Sequence, residues 1–212
     1  TNEELIASHF NAFFLMKLGL GDLQSSVSQL LLLDQAQTLP VKPDIVASIE
    51  SQLADNGHKW MTQFSELLGP LDAQLRAESS WGYGTPWLNE KRNGFLERFI
   101  HVFDRWRALY KSAQESIAKA TRILQDPTFG PGSDERREAE RLKRAGLRQR
   151  DLLQNEENRE FGGNSEFYIF RYLASEGFLP GYNFTRLPVR VYVGDRHKQE
   201  GAFISRPRNV AL

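Results

Sequence analysis

Aromatic side chains are concentrated in residues 167–184, FYIFRYLASEGFLPGYNF, around a Gly-Phe-Leu-Pro-Gly turn. The members of this aromatic phrase, with one residue just upstream, are Phe161, Phe167, Tyr168, Phe170, Tyr172, Phe178, Tyr182 and Phe184. Burying one aromatic side chain stabilises a fold by roughly 1.5–3 kcal/mol, so this density belongs in a core rather than on a surface. We predict that the aromatic phrase fixes how the helices before it meet the strands after it.

Length and composition limit the class of protein. A chain of 212 residues forms one large or two small domains and buries about 70 % of its unfolded surface. The 27 basic and 27 acidic residues cancel, so any contact with nucleic acid must use a local patch. Cysteine is absent, which excludes disulfides and fits a reducing compartment, and no apolar run approaches the roughly 20 residues of a membrane span. We expect a cytoplasmic bacterial protein without membrane contact, of which this chain is a fragment.

Apolar residues spaced three and four apart predict helices in the N-terminal part of the chain. The predicted ranges are residues 3–18, 22–36, 43–55 and 60–71. Asn56-Gly57 should close the third helix, and Gly69-Pro70 should split or kink the fourth. Residues 79–94, SSWGYGTPWLNEKRNG, lack a helical period and predict a loop. The aromatic residues of that loop either pin it to the helical core, which we favour, or form a ligand platform.

The strongest helical pattern runs from Phe95 to Leu124 and keeps one apolar stripe over about eight turns. Asp126-Pro127 should stop this helix, since proline cannot continue it. Ser133, followed by acidic residues, is suited to cap a return helix that ends near Gln154. The sequence therefore predicts a long antiparallel helical hairpin.

The C-terminal part changes period. A polar linker at 155–165 precedes a short helix that starts at Ser165 and ends near Gly177. Alternating residues then predict two strands, at 187–193 and 202–205, joined by a hairpin loop. The predicted fold is mainly α: a helical bundle with a long antiparallel helical hairpin plus a small C-terminal β-hairpin module. It has three regions. Residues 1–94 form the N-terminal helical region with the aromatic loop, and residues 95–160 form the helical hairpin. Residues 161–212 form the aromatic docking segment with the β-hairpin.

A basic run lies on the return helix. Five positive charges fall within ten residues with no acid between them: Arg141, Lys143, Arg144, Arg148 and Arg150. One interpretation is a contact with the phosphate backbone of nucleic acid. The other is a solvated helix face, balanced by the acids just outside the run. Both interpretations stay open on the sequence alone.

Catalytic patterns do not emerge from the sequence. There is no GxxxxGK[ST] phosphate-binding loop and no GxSxG nucleophile elbow. The histidines are far apart and none has the HExxH spacing of a zinc site: His9, His58, His101 and His197. We predict no catalytic residue and no metal ligand in this chain.

Two phrases resemble a known family. Residues 166–193, EFYIFRYLASEGFLPGYNFTRLPVRVYV, followed by GAFISRPRNVAL at 201–212, resemble a segment of very large bacterial superfamily 2 helicases of the DEAD/DEAH type. Residues 103–127 resemble the helix that this family places before the segment. The helicases of DISARM-type phage-defence systems are similar. In this family the segment lies downstream of the two motor lobes.

The resemblance implies a function for the parent protein. That protein would be an ATP-dependent DNA helicase or translocase whose motor binds ATP and Mg²⁺ outside this chain. This chain would be a non-catalytic accessory region, without a cofactor of its own, that braces the motor and guides DNA. The basic run of the return helix would then contact phosphates, together with Arg186, Arg190, Arg206 and Arg208. The alternative is a protein–protein interaction scaffold that docks a partner subunit, or the remaining helicase domains, without touching nucleic acid.

Overall fold

The computed structural model describes residues 3–20, 27–35, 37–154, 169–181, 187–193 and 202–208. The chain forms two compact units, Thr1–Pro180 and Gly181–Leu212. The α-helices among the described residues of the first unit are α1 (Glu3–Lys17), α2 (Pro43–Leu68), α3 (Pro70–Glu78), α4 (Thr85–Asn93), α5 (Phe95–His101), α6 (Asp104–Gln125), α7 (Asp134–Gln154) and α8 (Ile169–Ser175). The prediction of a mainly α protein is confirmed.

Aromatic side chains hold α1 against α2. Phe10 and Phe14, one turn apart on α1, stack at 4.2 Å between ring centroids, and both are fully buried. Phe64 of α2 meets the Phe10 ring edge-on at 5.2 Å, and Trp60 meets Phe14 at 5.7 Å. Phe10 and Phe14, two of the apolar residues whose spacing predicts the first helix, therefore enter the core.

The predicted helix over residues 22–36 is wrong within its described part. Val27–Gln29 forms a single 3-10 turn, and Leu31 then pairs with Val41 in an isolated antiparallel bridge. The Leu32 amide donates to the Pro40 carbonyl at 2.9 Å, which closes the connection between them. A continuous apolar run such as 30–33 has no polar interruption, so its period does not distinguish a helix from an extended segment.

The predicted end of the third helix at Asn56-Gly57 is also wrong, because α2 continues to Leu68. Gly57 is buried inside α2, where the side chain of Arg92 packs against its backbone. The predicted break at Gly69-Pro70 is confirmed. Gly69 has a φ of 52°, and Pro70 begins α3. Tertiary packing thus overrides the first helix-stop signal and agrees with the second.

The predicted loop over 79–94 is half helical. α4 begins at Thr85, directly before Pro86, a position that proline tolerates because the first helical amides have no partner. Only the part up to Gly84 is a turn. This short helix has only two apolar core residues, Trp87 and Leu88, so its sequence shows no helical period.

The predicted continuous helix from Phe95 to Leu124 is broken into α5 and α6. At the break the Tyr172 hydroxyl donates to the Val102 carbonyl at 2.7 Å and accepts from the Trp106 amide at 3.0 Å. These two backbone groups are four residues apart and would bond directly in an unbroken helix. A side chain inserted into this ladder is an established cause of a helix kink. The break therefore comes from a tyrosine on α8.

α6 and α7 lie side by side and antiparallel. Near the start of α6, the Trp106 indole donates to the Leu153 carbonyl at 3.0 Å. At the other end, Arg136 of α7 donates to the Leu124 carbonyl at 2.9 Å. Gly146 lets the helices approach closely, since a Cβ there would lie 3.1 Å from the Ala113 carbonyl oxygen. The predicted stop at Asp126 and the predicted return helix from Ser133 both agree with these bounds.

The described part of the aromatic phrase belongs to the core. Phe178 contacts the rings of Phe95 and Phe99 at 5.8 and 5.9 Å, and its carbonyl accepts from the buried Asn11 side chain of α1 at 3.0 Å. Tyr172 stacks on Phe103 at 6.0 Å. The other predicted aromatic contacts, of residues 161, 167, 168, 182 and 184, lie outside the described residues, as do the predicted linker and the predicted cap at 165.

The second unit contains β1 (Leu187–Val193) and β2 (Ala202–Arg208), which pair antiparallel. The register places Leu187 opposite Arg208 and Val193 opposite Ala202. The predicted hairpin loop at 194–201 lies outside the described residues. Docking of this unit by the aromatic phrase stays a prediction.

Candidate nucleic-acid interface

An N-cap and the hydrogen bonds of the Arg136 side chain position α7 on α6. The Ser133 hydroxyl accepts from the Arg136 amide at 3.3 Å, which is the N-cap that the sequence predicts. Asp134 and Glu135 occupy the first turn, where the helix dipole favours carboxylates. The Arg136 guanidinium turns toward α6 and donates to the Phe129 carbonyl at 3.1 Å as well as to Leu124. One side of α7 is thereby fixed against α6, and the opposite side carries part of the basic run.

Helical geometry divides the basic run into two groups. At about 100° per residue, Arg141, Arg144 and Arg148 share one side of α7, and all three are exposed. Lys143 and Arg150 project from a different side and are half-buried. Arg150 donates two hydrogen bonds to Asp151 Oδ1, at 3.0 and 3.2 Å. We call the first group the arginine stripe; it contains the cations that a large ligand can reach.

Within the arginine stripe, only Arg141 has an ionic partner among the described residues. Arg141 lies 3.7 Å from Glu138, and the Arg141 side chain is 79 % exposed. An exposed pair of this kind contributes about 0–1 kcal/mol, so a ligand can displace the carboxylate. Arg144 and Arg148 make no hydrogen bond and no ion pair with the residues that the structure describes. These two guanidinium groups are available to an anion.

One residue of this surface was missed by the sequence analysis. Arg137 precedes Arg141 by one turn and extends the arginine stripe, although Asp134 pairs with it at 2.7 Å. The missed signal is helical spacing: positions 137, 141, 144 and 148 follow a single face, whereas the contiguous run 141–150 does not.

An apolar groove borders the arginine stripe where α6 and α7 meet. Its volume is about 580 Å³, and it is lined by Leu109, Arg141, Arg144, Ala145, Arg148, Gln149, Leu152 and Leu153. Leu109 is 39 % exposed and Ala145 is exposed beside it. The surface thus combines three cations with a floor of aliphatic carbon, and none of the described residues that line it is aromatic.

The other predicted contact residues belong to the second unit. Arg190 lies on β1 opposite Ser205, and Arg206 and Arg208 lie on β2. Arg186 lies outside the described residues. A surface that these residues share with the arginine stripe stays a prediction.

The aromatic turn before α4 is packed into the protein. Tyr83 and Trp87 are buried, with ring centroids 5.4 Å apart, and Trp81 lies 5.1 Å from Trp87. The Trp87 indole donates to Glu3 Oε1 at 2.9 Å, which ties α4 to α1. These contacts agree with the interpretation that the aromatic residues pin this segment to the core, and they leave no aromatic platform for a ligand here.

A tyrosine–carboxylate pair fixes the same turn. The Tyr83 hydroxyl donates to Asp72 Oδ1 at 2.6 Å. Burial, followed by this hydrogen bond, raises the pKa of Tyr83 to about 12. Burial alone would raise the pKa of the Asp72 carboxyl, but hydrogen bonds from Arg76 and Tyr83 outweigh it and hold that pKa below its usual value. The pair is satisfied internally, which suits a structural role.

No cluster of three or more acidic or histidine side chains able to hold a metal ion occurs among the described residues. None of the helices described is long and apolar enough to cross a membrane. Comparison with known proteins gives no relatives, since no protein-family model, no curated protein and no solved structure matches this chain.

Proposed function

We propose that this chain is a non-catalytic accessory region of an ATP-dependent DNA helicase or translocase, and that α7 contacts DNA phosphates. One observation carries the proposal: Arg141, Arg144 and Arg148 form an exposed stripe on one side of α7, and two of them have no ionic partner among the described residues. Arginine is suited to this role because its planar guanidinium binds phosphate through paired hydrogen bonds.

The dimensions of the arginine stripe suit a nucleic-acid strand. From Arg141 to Arg148 the helix rises by about 10 Å, at 1.5 Å per residue. Over the same length one DNA strand presents about three phosphates, since it carries one per 3.4 Å of helix axis. The chain has a net charge of zero, so binding would depend on this local surface rather than on a general positive field.

The parent motor supplies the rest of this function. Given the resemblance of the aromatic phrase to large bacterial helicases, ATP and Mg²⁺ would bind in motor lobes outside this chain. The packed helices of the first unit would brace that motor. The C-terminal β-hairpin would add Arg186, Arg190, Arg206 and Arg208 to the DNA contact, in a cytoplasmic phage-defence complex.

A salt titration tests the DNA contact. Fluorescence anisotropy of labelled single- and double-stranded DNA is measured with the whole chain between about 50 and 200 mM salt. The proposal predicts saturable binding that weakens steeply with salt, because each phosphate contact releases counterions. Absence of binding at the lowest salt would reject the DNA contact.

The alternative function, a protein–protein interaction scaffold, is favoured by one observation. The groove beside the arginine stripe has an aliphatic floor at Leu109 and Ala145, which phosphate groups do not need. Burial of Tyr83 and Trp87 in the aromatic turn argues against the scaffold, because exposed aromatic residues there would have favoured it. A partner subunit that binds this chain while DNA does not would decide for the scaffold.

A further inference from the structure

We propose that the groove between α6 and α7 is a docking site for an acidic amphipathic helix of a partner protein, which would exclude DNA from the arginine stripe. The inference deepens the proposed function, because it names a partner that competes for the same arginines. It depends on a juxtaposition: three cations stand along one edge of an aliphatic groove.

The floor of the groove determines the apolar half of the partner. Leu109 and Leu152, which are 39 % and 46 % exposed, offer aliphatic carbon together with Ala145, and burial of such surface is the main favourable contribution to most protein association. The phosphates and sugars of DNA would leave this floor uncovered. Single-stranded bases bind mainly by stacking on aromatic side chains, and none of the described residues that line this groove is aromatic. The floor therefore fits an aliphatic side chain better than a nucleotide.

The rim of the groove determines the charge of the partner. Arg141, Arg144 and Arg148 line the groove together with the floor, so a ligand seated there meets all three guanidinium groups. Carboxylates pair with guanidinium groups through two parallel hydrogen bonds. A partner with glutamate or aspartate beside its apolar stripe would satisfy Arg144 and Arg148, which have no ionic partner among the described residues.

The length of the groove indicates a short helix. Its α7 residues run from Arg141 to Leu153, about 18 Å at 1.5 Å per residue. A partner helix of about 12–14 residues covers that length, with apolar anchors at positions i, i+4 and i+7. Such a helix lying in an apolar groove is a recurrent mode of peptide recognition.

A designed peptide tests this site with the whole chain. The probe is a fluorescein-labelled helical peptide of about 14 residues, with leucine at i, i+4 and i+7 spacing and glutamate on both flanks. Its control has the same composition with the leucines spread around the helix. We expect saturable binding of the probe at least about tenfold tighter than the control, since only the probe presents an apolar stripe. Equal binding of the two peptides, or no binding, would overturn the proposal.

Matched variants locate the peptide on the protein. Leu109→Gln should weaken probe binding about tenfold, and Leu67→Gln, at an exposed leucine on α2, should leave it unchanged. The double variant Arg144→Glu/Arg148→Glu should weaken probe binding at least as much as Leu109→Gln does. Its control, Lys119→Glu, changes an exposed lysine of α6 outside the groove and should leave probe binding unchanged. Probe binding that Leu109→Gln does not change would overturn the proposal.

DNA binding separates this inference from the proposed function. Leu109→Gln should leave DNA affinity unchanged, and the probe should displace DNA from the unmodified chain. DNA binding that persists while the probe fails to bind would overturn this inference alone. Probe binding at the groove by a chain that never binds DNA would reject the proposed function and support the docking site.

Discussion

Replacing Tyr172 with phenylalanine tests how the first unit is held together. The change removes one oxygen atom, and with it both hydrogen bonds that connect α8 to the junction of α5 and α6. The aromatic ring can remain stacked on Phe103. Tyr172→Phe therefore isolates the contribution of the hydroxyl from that of the packed ring.

The expected loss of stability follows from the two backbone groups left behind. Trp106 is fully buried, so its amide loses its partner without access to water; an unsatisfied buried donor costs about 1–3 kcal/mol. The Val102 carbonyl belongs to a half-buried residue and loses less. Direct pairing of the two groups would require moving Trp106 and Phe103, which are both core residues. We predict that Tyr172→Phe lowers the free energy of unfolding by about 2–3 kcal/mol.

Urea unfolding followed by tryptophan fluorescence measures this loss. All four tryptophans lie in the first unit, so the signal reports on that unit. Ser116→Ala is the control, because it removes an exposed side-chain hydrogen bond to the Ser112 carbonyl and should change stability by less than about 0.5 kcal/mol. Hydrogen exchange at the Trp106 amide should accelerate in Tyr172→Phe. A loss no larger than that of the control, with unchanged exchange, would refute the role of Tyr172 in holding the break.

Two further perturbations test the packing of the first unit. Gly146→Ala should lower the free energy of unfolding by about 1–3 kcal/mol, since its methyl group would meet the Ala113 carbonyl at 3.1 Å. The control Gly130→Ala places a methyl group in open space and should be nearly neutral. Equal urea midpoints for these two variants would contradict the close approach of α6 and α7. The raised pKa of Tyr83 predicts that its contribution to stability is complete below pH about 10, its unfolded pKa, and is lost as pH rises toward about 12. The difference in the free energy of unfolding between the unmodified chain and Tyr83→Phe, measured in urea, should therefore decrease between pH about 10 and about 12. A difference that stays constant over this pH range would show that Tyr83 and Asp72 do not interact as described.

The boundaries that were predictable from the sequence depend on nearby residues. α6 ends before Asp126-Pro127, and α7 begins after Ser133, because a missing amide and a capping hydroxyl act within one turn. The mainly α class is predictable for a similar reason, since apolar spacing is a local property.

The features that were not predictable depend on distant residues. At the break between α5 and α6, the Trp106 amide donates to the hydroxyl of Tyr172, which follows it by 66 residues. Leu31 pairs with Val41 in a bridge, and the side chain of Arg92 packs closely against Gly57 of α2. Local secondary-structure propensities carry no information about these long-range contacts.

The candidate site was half predictable. The basic run identified the helix that carries the candidate site, but only helical geometry separates the arginine stripe from Lys143 and Arg150. The apolar groove could not be predicted from the sequence, because Leu109 on α6 and Ala145 on α7 come together only through the packing of the two helices.

The salt dependence of DNA affinity in a charge-reversed chain tests the central claim most directly. The double variant Arg144→Glu/Arg148→Glu is compared with Lys119→Glu, and the slope of log affinity against log salt is measured for duplex DNA by anisotropy. Loss of two phosphate contacts should weaken binding and reduce the magnitude of the slope by about 1.8, at about 0.9 per contact. Lys119→Glu should keep the slope of the unmodified chain. An unchanged slope and affinity in the double variant would show that the arginine stripe does not contact DNA.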